Sequence, residues 1–340
     1  MRPSQLYRQG AKMQRRNFIQ AGLGVGLLPM TCVASSASSL HWRDISFTGL
    51  GTVLSIRAAH ADAIALGQAL QRARGVVEHV EDEMSLFRST SALSRLNAAG
   101  VLQQPSADLL QILQLSQRIA RRSQGAFDVT VQPLWQLYAQ AQKEGRLPRP
   151  EHVAQTQKRV GWERLQVSAE RITLAQPGMG VSLNGIAQGY AADLVRASLK
   201  RDGVAHALIN TGEWSSLGLA NGERPWVLGI ADPHRANQWL TRVTMNGLSL
   251  ATSADDQCVF SEDRKHHHIF NPHTGYSPLD ISSVTVAASS CAVADALTKV
   301  LFVAGYDQAL NLAKAWGVSA LVVKKSGEWK ASDTLPRVAS

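Results

Sequence analysis

The sequence predicts an α+β fold, and three observations lead there. Helical apolar spacing is confined to a few long stretches, short β-rich runs crowd the chain after residue 200, and the two kinds do not alternate as regular βαβ units would. The length of 340 residues, 45% of them hydrophobic, is enough for one large domain or two closely packed lobes around a sizeable core. No internal repeat or low-complexity linker follows the first 40 residues.

Taken in order, Ile45 to Ile56 reads as a strand interrupted at Gly49 and Gly51. Asp62 to Glu83 carries Leu66, Leu70, Val77 and Val80 on one helical face, followed by Phe87 and the polar loop S-T-S-A-L-S-R-L-N. A second helix is expected from about Ser106 to Arg122, before a turn at Gly125 to Thr130 and Pro133-Leu134-Trp135. Short strands near Leu165 and Ile172 lead to the central stretch. Beyond it, strands are expected at Ala207 to Asn210, Trp226 to Ala231, Leu240 to Met245, His266 to Phe270 and Ser283 to Ala287. Helices at about Ala292 to Ala304 and Gln308 to Trp316, then a strand at Ala320 to Val323, complete the chain.

The central stretch, V-S-L-N-G-I-A-Q-G-Y-A-A-D from Val181 to Asp193, breaks on Gly185 and becomes a helix around Gly189. Glycine lets backbone approach a ligand, and the N–H groups of a helix N-terminus suit a phosphate. The alternative is a strand-to-helix turn in which glycine only relieves crowding.

The first 40 residues hold Arg2, Arg8, Lys12, Arg15 and Arg16 and no acid, so five of the nine net positive charges lie there and +4 remains for the body. With no basic stripe interleaved with aromatics, nucleic-acid binding is excluded. Arg15-Arg16-Asn17-Phe18-Ile19, the Gly-rich apolar run Ala21 to Met30 and the small residues from Val33 to Ala37 read as a secretion signal resembling the twin-arginine type. An ordinary signal with two arginines is the alternative. The body, residues 41–340, is then expected in the periplasm. Cys258 and Cys291 form no C-x-x-C pair, which excludes a thiolate zinc site, and two buried thiols are favoured over a disulfide.

Two clusters carry chemical potential. On a strand, His266 and His268 would share a face and His267 the other; with no third metal ligand suitably spaced, catalysis or hydrogen bonding is favoured over metal binding. A surface strand with solvated histidines is the competing reading. Asp295 opens the apolar helix A-V-A-D-A-L-T-K-V-L-F-V-A-G, where a carboxylate needs a cation. It either holds Mg²⁺ on a phosphate or pairs with Lys299 one turn on.

In their order these blocks resemble the ApbE family of FAD:protein FMN transferases over nearly all the chain after the leader. The matching stretches are Gly51-Thr52, M-S-L-F-R-S-T-S-A-L-S-R-L-N at Met84 to Asn97, G-A-F-D-V-T-V-Q-P-L at Gly125 to Leu134, the central stretch, L-A-T-S at Leu250 to Ser253, H-H-I-F-N-P-H-T-G at His267 to Gly275, and A-D-A-L-T-K-V-L-F-V-A-G at Ala294 to Gly305. The resemblance implies an exported α+β protein with a T-fold-like core of antiparallel strands and packed helices, in two closely associated lobes. It implies binding of FAD and Mg²⁺ and transfer of FMN to a Thr or Ser hydroxyl of an exported or membrane-bound flavoprotein, with AMP as second product and peripheral membrane association.

Carried over by position, Phe87 packs on the flavin, Ala126, Phe127 and Asp128 line the FAD site, and Leu50, Ser182, Gln188 and Ile269 complete it. The Gly185 carbonyl and the Asp295 side chain face the metal, and His268 stands nearest the attacking hydroxyl; by helix spacing alone, Thr298 at i+3 from Asp295 is a further candidate to offer its hydroxyl to the metal. Several positions depart from the family pattern. Ser182 stands where Asp is usual, Gln188 where Lys or Glu is, Ala254 where T-S-G is expected, and His273 where Arg is common. N-T-G-E-W at Asn210 to Trp214 replaces N-x-G-G-D, and Lys299 occupies the position of the second metal-ligating hydroxyl. N-G-I-A-Q-G-Y and G-E-W look closer to a sub-branch serving anaerobic respiratory flavoproteins. A non-catalytic flavin-binding or flavin-delivering accessory protein with a degenerate metal site is the alternative.

Overall fold

The computed structural model describes residues 40–338, so the leader, with its arginine pair and Cys32, lies outside the described residues. Strands β1 (His41–Gly49) and β2 (Thr52–His60) form an antiparallel hairpin rather than one interrupted strand. The turn residues Leu50 and Gly51 have φ of 50° and 74°, the left-handed pair that a two-residue hairpin turn requires. Helix α1 (Ala63–Met84) follows, its first turn capped by the Asp62 carboxylate, which accepts from Ile64 N and Ala65 N.

The polar loop at 89–97 is in fact largely helical. Ser91 caps α2 (Ala92–Ala99) by accepting from Ser94 N, and Leu93 and Leu96 bury its apolar face. Helix α3 (Ala107–Arg122) lies where the spacing predicts it. Two helices unforeseen in the sequence come next, α4 (Gln132–Lys143) and α5 (Pro150–Gln157), each with proline in its first turn, where the missing N–H has no partner to lose. A small sheet of β3 (Val101–Gln103), β5 (Arg171–Leu174) and β4 (Leu165–Val167), in that order, closes this part of the molecule.

After α6 (Ala187–Arg201) come β6 (His206–Asn210), β7 (Trp214–Leu217), β8 (Trp226–Ala231), β9 (Trp239–Met245), β10 (Ser249–Ala254) and β11 (Ile281–Ala288). Helices α7 (Cys291–Ala304) and α8 (Tyr306–Trp316) and strands β12 (Ser319–Lys324) and β13 (Trp329–Ala331) end the chain. The main sheet is antiparallel throughout, in the order β1-β2-β6-β7-β10-β11-β12-β13. The architecture is therefore α+β.

One face of this sheet is covered by helices. Ala251, Val284, Val286 and Val322 meet Leu297, Val300 and Leu301 of α7, while Leu54, Ile56 and Ile209 meet α1 and α6. The other face is covered by the β8–β9 hairpin, which buries Leu228, Ile230 and Val243 on Leu208, Leu250, Leu321 and Val323. β11 is buried along its whole length, so its alternate residues serve both cores. Each fully buried aliphatic side chain contributes about 1.5–3 kcal/mol, which fixes α7 rigidly against the sheet. Among the described residues, no helix is long and apolar enough to cross a membrane.

The expected strand at His266 to Phe270 does not form. Only an isolated antiparallel bridge between Val259 and His267 is present: Phe260 N donates to His266 O and His268 N to Cys258 O, and beyond these two bonds the His267 N–H turns to the Ser277 side chain and its ring to Phe302 of α7.

Candidate functional site

Two separate segments converge on the backbone just before α6. The Asn97 amide, on the last turn of α2, accepts from Val181 N at 2.7 Å and donates to Val181 O at 2.8 Å. Ser182 N donates to Val129 O at 2.7 Å. These bonds satisfy a stretch that belongs to no strand and hold it in one place. The Asp128 carboxylate is fully engaged in the same scaffold: Oδ1 accepts from Thr130 N and Thr130 Oγ1, both at 2.7 Å, and Oδ2 from Trp162 N at 2.9 Å. Burial raises its pKa above the usual carboxylate value. Its part is to shape the turn that presents Ala126 and Phe127.

Gly185 lies in the turn before α6, and a Cβ there would stand 3.1 Å from Lys299 Cε and 3.6 Å from Phe127 Cε2. Glycine leaves room for the lysine stem. Lys299 Nζ reaches Asp295 Oδ1 at 2.5 Å and Asp295 O at 3.2 Å, one turn back on α7. The other carboxylate oxygen, Oδ2, accepts from Gly189 N at 3.2 Å. The anion at the N-terminus of α6 is therefore Asp295 itself, and both its oxygens are compensated although it is almost completely buried. Thr298 is equally committed: it donates to Asp295 O at 2.6 Å and pairs with Ser253 Oγ at 2.7 Å. Asp193, at the end of the central stretch, fixes the start of α7 by accepting from Cys291 N, Ala292 N and Ser290 Oγ.

Gly189 answers a different requirement from the one its motif suggests. A Cβ there would lie 2.4 Å from Cys291 O and 2.9 Å from Ala292 Cα, so the residue serves the crossing of α6 and α7. Close approach is needed, but to protein backbone. Cys291 itself is buried at that crossing and forms no disulfide with Cys258.

The three histidines separate by role. His267 is buried against Phe302, the next residue but two after Lys299; its Nε2 donates to Pro278 O at 3.2 Å and its Nδ1 accepts from Ile269 N at 3.3 Å. Both ring nitrogens are thus spent, and burial lowers its pKa to about 4. Ile269 is buried directly behind it. His266 packs against Tyr138 in a tilted arrangement with ring centroids 6.0 Å apart. The His268 Nδ1 lies 3.3 Å from Cys258 O, an atom that can only accept, so Nδ1 carries a proton.

Leu50 and Gln188 meet at the other edge. Leu50 N donates to Glu81 Oε1 at 2.7 Å, and Gln188 Nε2 donates to Leu50 O at 3.3 Å. Gln188 also lies over Gly212, where a Cβ would meet its Cδ at 2.5 Å. Glu81 holds Arg88 beside the exposed Phe87, and Glu213 receives Thr252 N at 3.0 Å. The structure thus brings Gly185, Phe127, Asp295 and Lys299 into one contact group, with Leu50 and Gln188 on one side and the histidine segment beyond Phe302. The sequence by itself gives Asn97 and Glu81 no functional role. Only their place within or beside the motif blocks marks them, since their role is to hold backbone.

The ApbE family model matches residues 50–322, well over half of the chain. The chain belongs to the ApbE family. Among ApbE relatives, the FAD:protein FMN transferase of Haemophilus influenzae is 30% identical over 254 residues, 70% of this chain and 73% of that protein. The FAD:protein FMN transferase of Vibrio cholerae is 28% identical over 315 residues, 89% of this chain and 94% of that one. The crystal structure of the ApbE protein of Thermotoga maritima superposes with a TM-score of 0.79 at 25% identity, covering 86% of this chain and 98% of the other. The ApbE resemblance also implies Mg²⁺, and here the residues do not fit it. The Lys299 ammonium occupies Asp295 Oδ1, Thr298 is bonded elsewhere, and among the described residues no group of three or more His, Cys, Asp and Glu side chains could hold a metal ion.

Proposed function

We propose that this chain is an FAD:protein FMN transferase acting on a Thr or Ser hydroxyl of an exported or membrane-bound flavoprotein. The observation that carries the reading is the near end-to-end match to relatives named for that activity. The hydroxyl oxygen attacks the phosphorus of the FMN half of FAD, forming one P–O bond as the bond to the bridging oxygen breaks. FMN stays on the target and AMP departs with that oxygen. His268, its ring oriented by the contact of Nδ1 with Cys258 O, is the group suited to take the hydroxyl proton, and the exposed Phe87 offers apolar surface to the isoalloxazine. Leu50, Gln188 and Ser182 border the nucleotide in this reading.

The leader directs the protein to the periplasm by the twin-arginine route, and residues 41–340 form the transferase domain. Peripheral association with a membrane-bound target accompanies that location. The test is incubation with FAD and a candidate exported flavoprotein, followed by mass measurement: a gain of one FMN per target with release of AMP is expected. A second reading, a flavin-binding or flavin-delivering accessory protein, is favoured by one observation, the lysine bonded to Asp295. Bound flavin with no AMP release and no mass gain would select it.

A further inference from the structure

The Lys299–Asp295 pair is not a surface ion pair. Asp295 is almost wholly buried, and the lysine side chain is about one-fifth exposed, its stem threaded between α7 and Gly185. Two N–H groups of the ammonium are spent on Asp295 Oδ1 and Asp295 O; the third has no acceptor among the described residues. It therefore offers a charged hydrogen-bond donor on the side of Gly185 and Phe127, beside a helix N-terminus whose Gly189 N–H already points at the carboxylate.

We propose that Lys299 is the built-in cation of this site: its ammonium, steadied by Asp295, receives the pyrophosphate of FAD directly, so that the flavin nucleotide binds without a divalent ion. The proposal rests on the transferase reading for the identity of the nucleotide. Its physical basis is competition for one oxygen. A divalent cation would need Asp295 Oδ1, which the ammonium holds at 2.5 Å, and would need the hydroxyl of Thr298, which Ser253 and Asp295 O already engage. Displacing the lysine would place its charge beside the dication in a half-buried space, where like charges repel strongly. A tethered ammonium neutralises the carboxylate at no concentration-dependent cost and leaves one donor for a phosphate oxygen. It coordinates only through single hydrogen bonds, so it grips the pyrophosphate less rigidly than a metal would.

The test is titration of the mature protein with FAD, followed by flavin fluorescence, in EDTA and in millimolar Mg²⁺. Binding is expected to differ by less than about twofold between the two conditions. Lys299→Met paired with Asp295→Asn removes both charges without leaving a buried carboxylate alone. This double variant, checked for folding by its thermal melt, is expected to lose at least tenfold in FAD affinity with or without Mg²⁺. Lys299→Thr is expected to make binding depend on Mg²⁺. A tenfold weakening of the unaltered protein by EDTA, reversed by Mg²⁺, would overturn the proposal, as would wild-type metal-free affinity in the double variant. Either result leaves the transferase reading standing, because that reading is decided by the mass of the target. Absence of FAD binding in both conditions overturns the two together.

Discussion

Gly189 on α6 faces the carbonyl of Cys291 on α7 so closely that a Cβ at 189 would stand 2.4 Å from the oxygen. The obstacle is backbone on both sides, so neither helix can yield by a rotamer change. Gly189→Ala is expected to destabilise the protein by about 1–3 kcal/mol, and Gly189→Val by more, read as a fall in the midpoint of thermal or urea unfolding. FAD affinity of whatever fraction remains folded should change little. A stable Gly189→Val protein that has lost FAD would instead return this glycine to the ligand.

His267 should make the fold sensitive to acid. Its buried ring is neutral, with a folded-state pKa of about 4 against an ordinary 6.5. Between those values the unfolded chain binds the extra proton and the folded protein does not, so stability falls as pH drops from about 6.5 and the loss is complete near 4. The size is roughly 3 kcal/mol for this one group. His267→Gln should flatten that part of the pH profile of unfolding, and an unchanged slope in the variant would assign the acid sensitivity to other groups.

For transfer, His268→Ala should retain FAD and lose about 10²–10⁴-fold in rate, the usual range for general-base assistance. His266→Ala, which removes a ring packed against Tyr138, should cost far less. Single-turnover FMN transfer measures both, and equal, small effects would leave the histidine segment a structural one.

Export should require the arginine pair. Replacing Arg15 and Arg16 by Lys is expected to leave precursor in the cytoplasm, scored by fractionation. Unchanged periplasmic yield would remove the twin-arginine assignment.

Local chemistry accounts for most of what the sequence reveals. The long helices α1, α3, α7 and α8 are legible because an apolar stripe must repeat every three to four residues, and Asp62 and Ser106 mark two starts as capping residues do. The motif blocks are legible too, and His268, Asp295 and Lys299 stand within them. Helices α4 and α5 escape notice because their buried residues are interspersed with Gln and Ala, which fit many patterns. The turn at Leu50-Gly51 looks like an interruption because a two-residue reversal and a bulge leave the same trace in sequence.

Tertiary structure alone decides which partner each polar group takes. Sequence offers Asp295 either Mg²⁺ or Lys299, and only the packing of α7 against Gly185 shows the ammonium on the carboxylate and the Thr298 hydroxyl turned to Ser253. Sequence offers the histidines a strand, whereas the chain forms a single bridge there and buries His267 between Pro278 and Ile269. Periodicity records how a segment faces a core, which is a local property of burial. A hydrogen bond joins groups tens of residues apart, as Asn97 joins Val181, and its existence depends on geometry that no single segment contains.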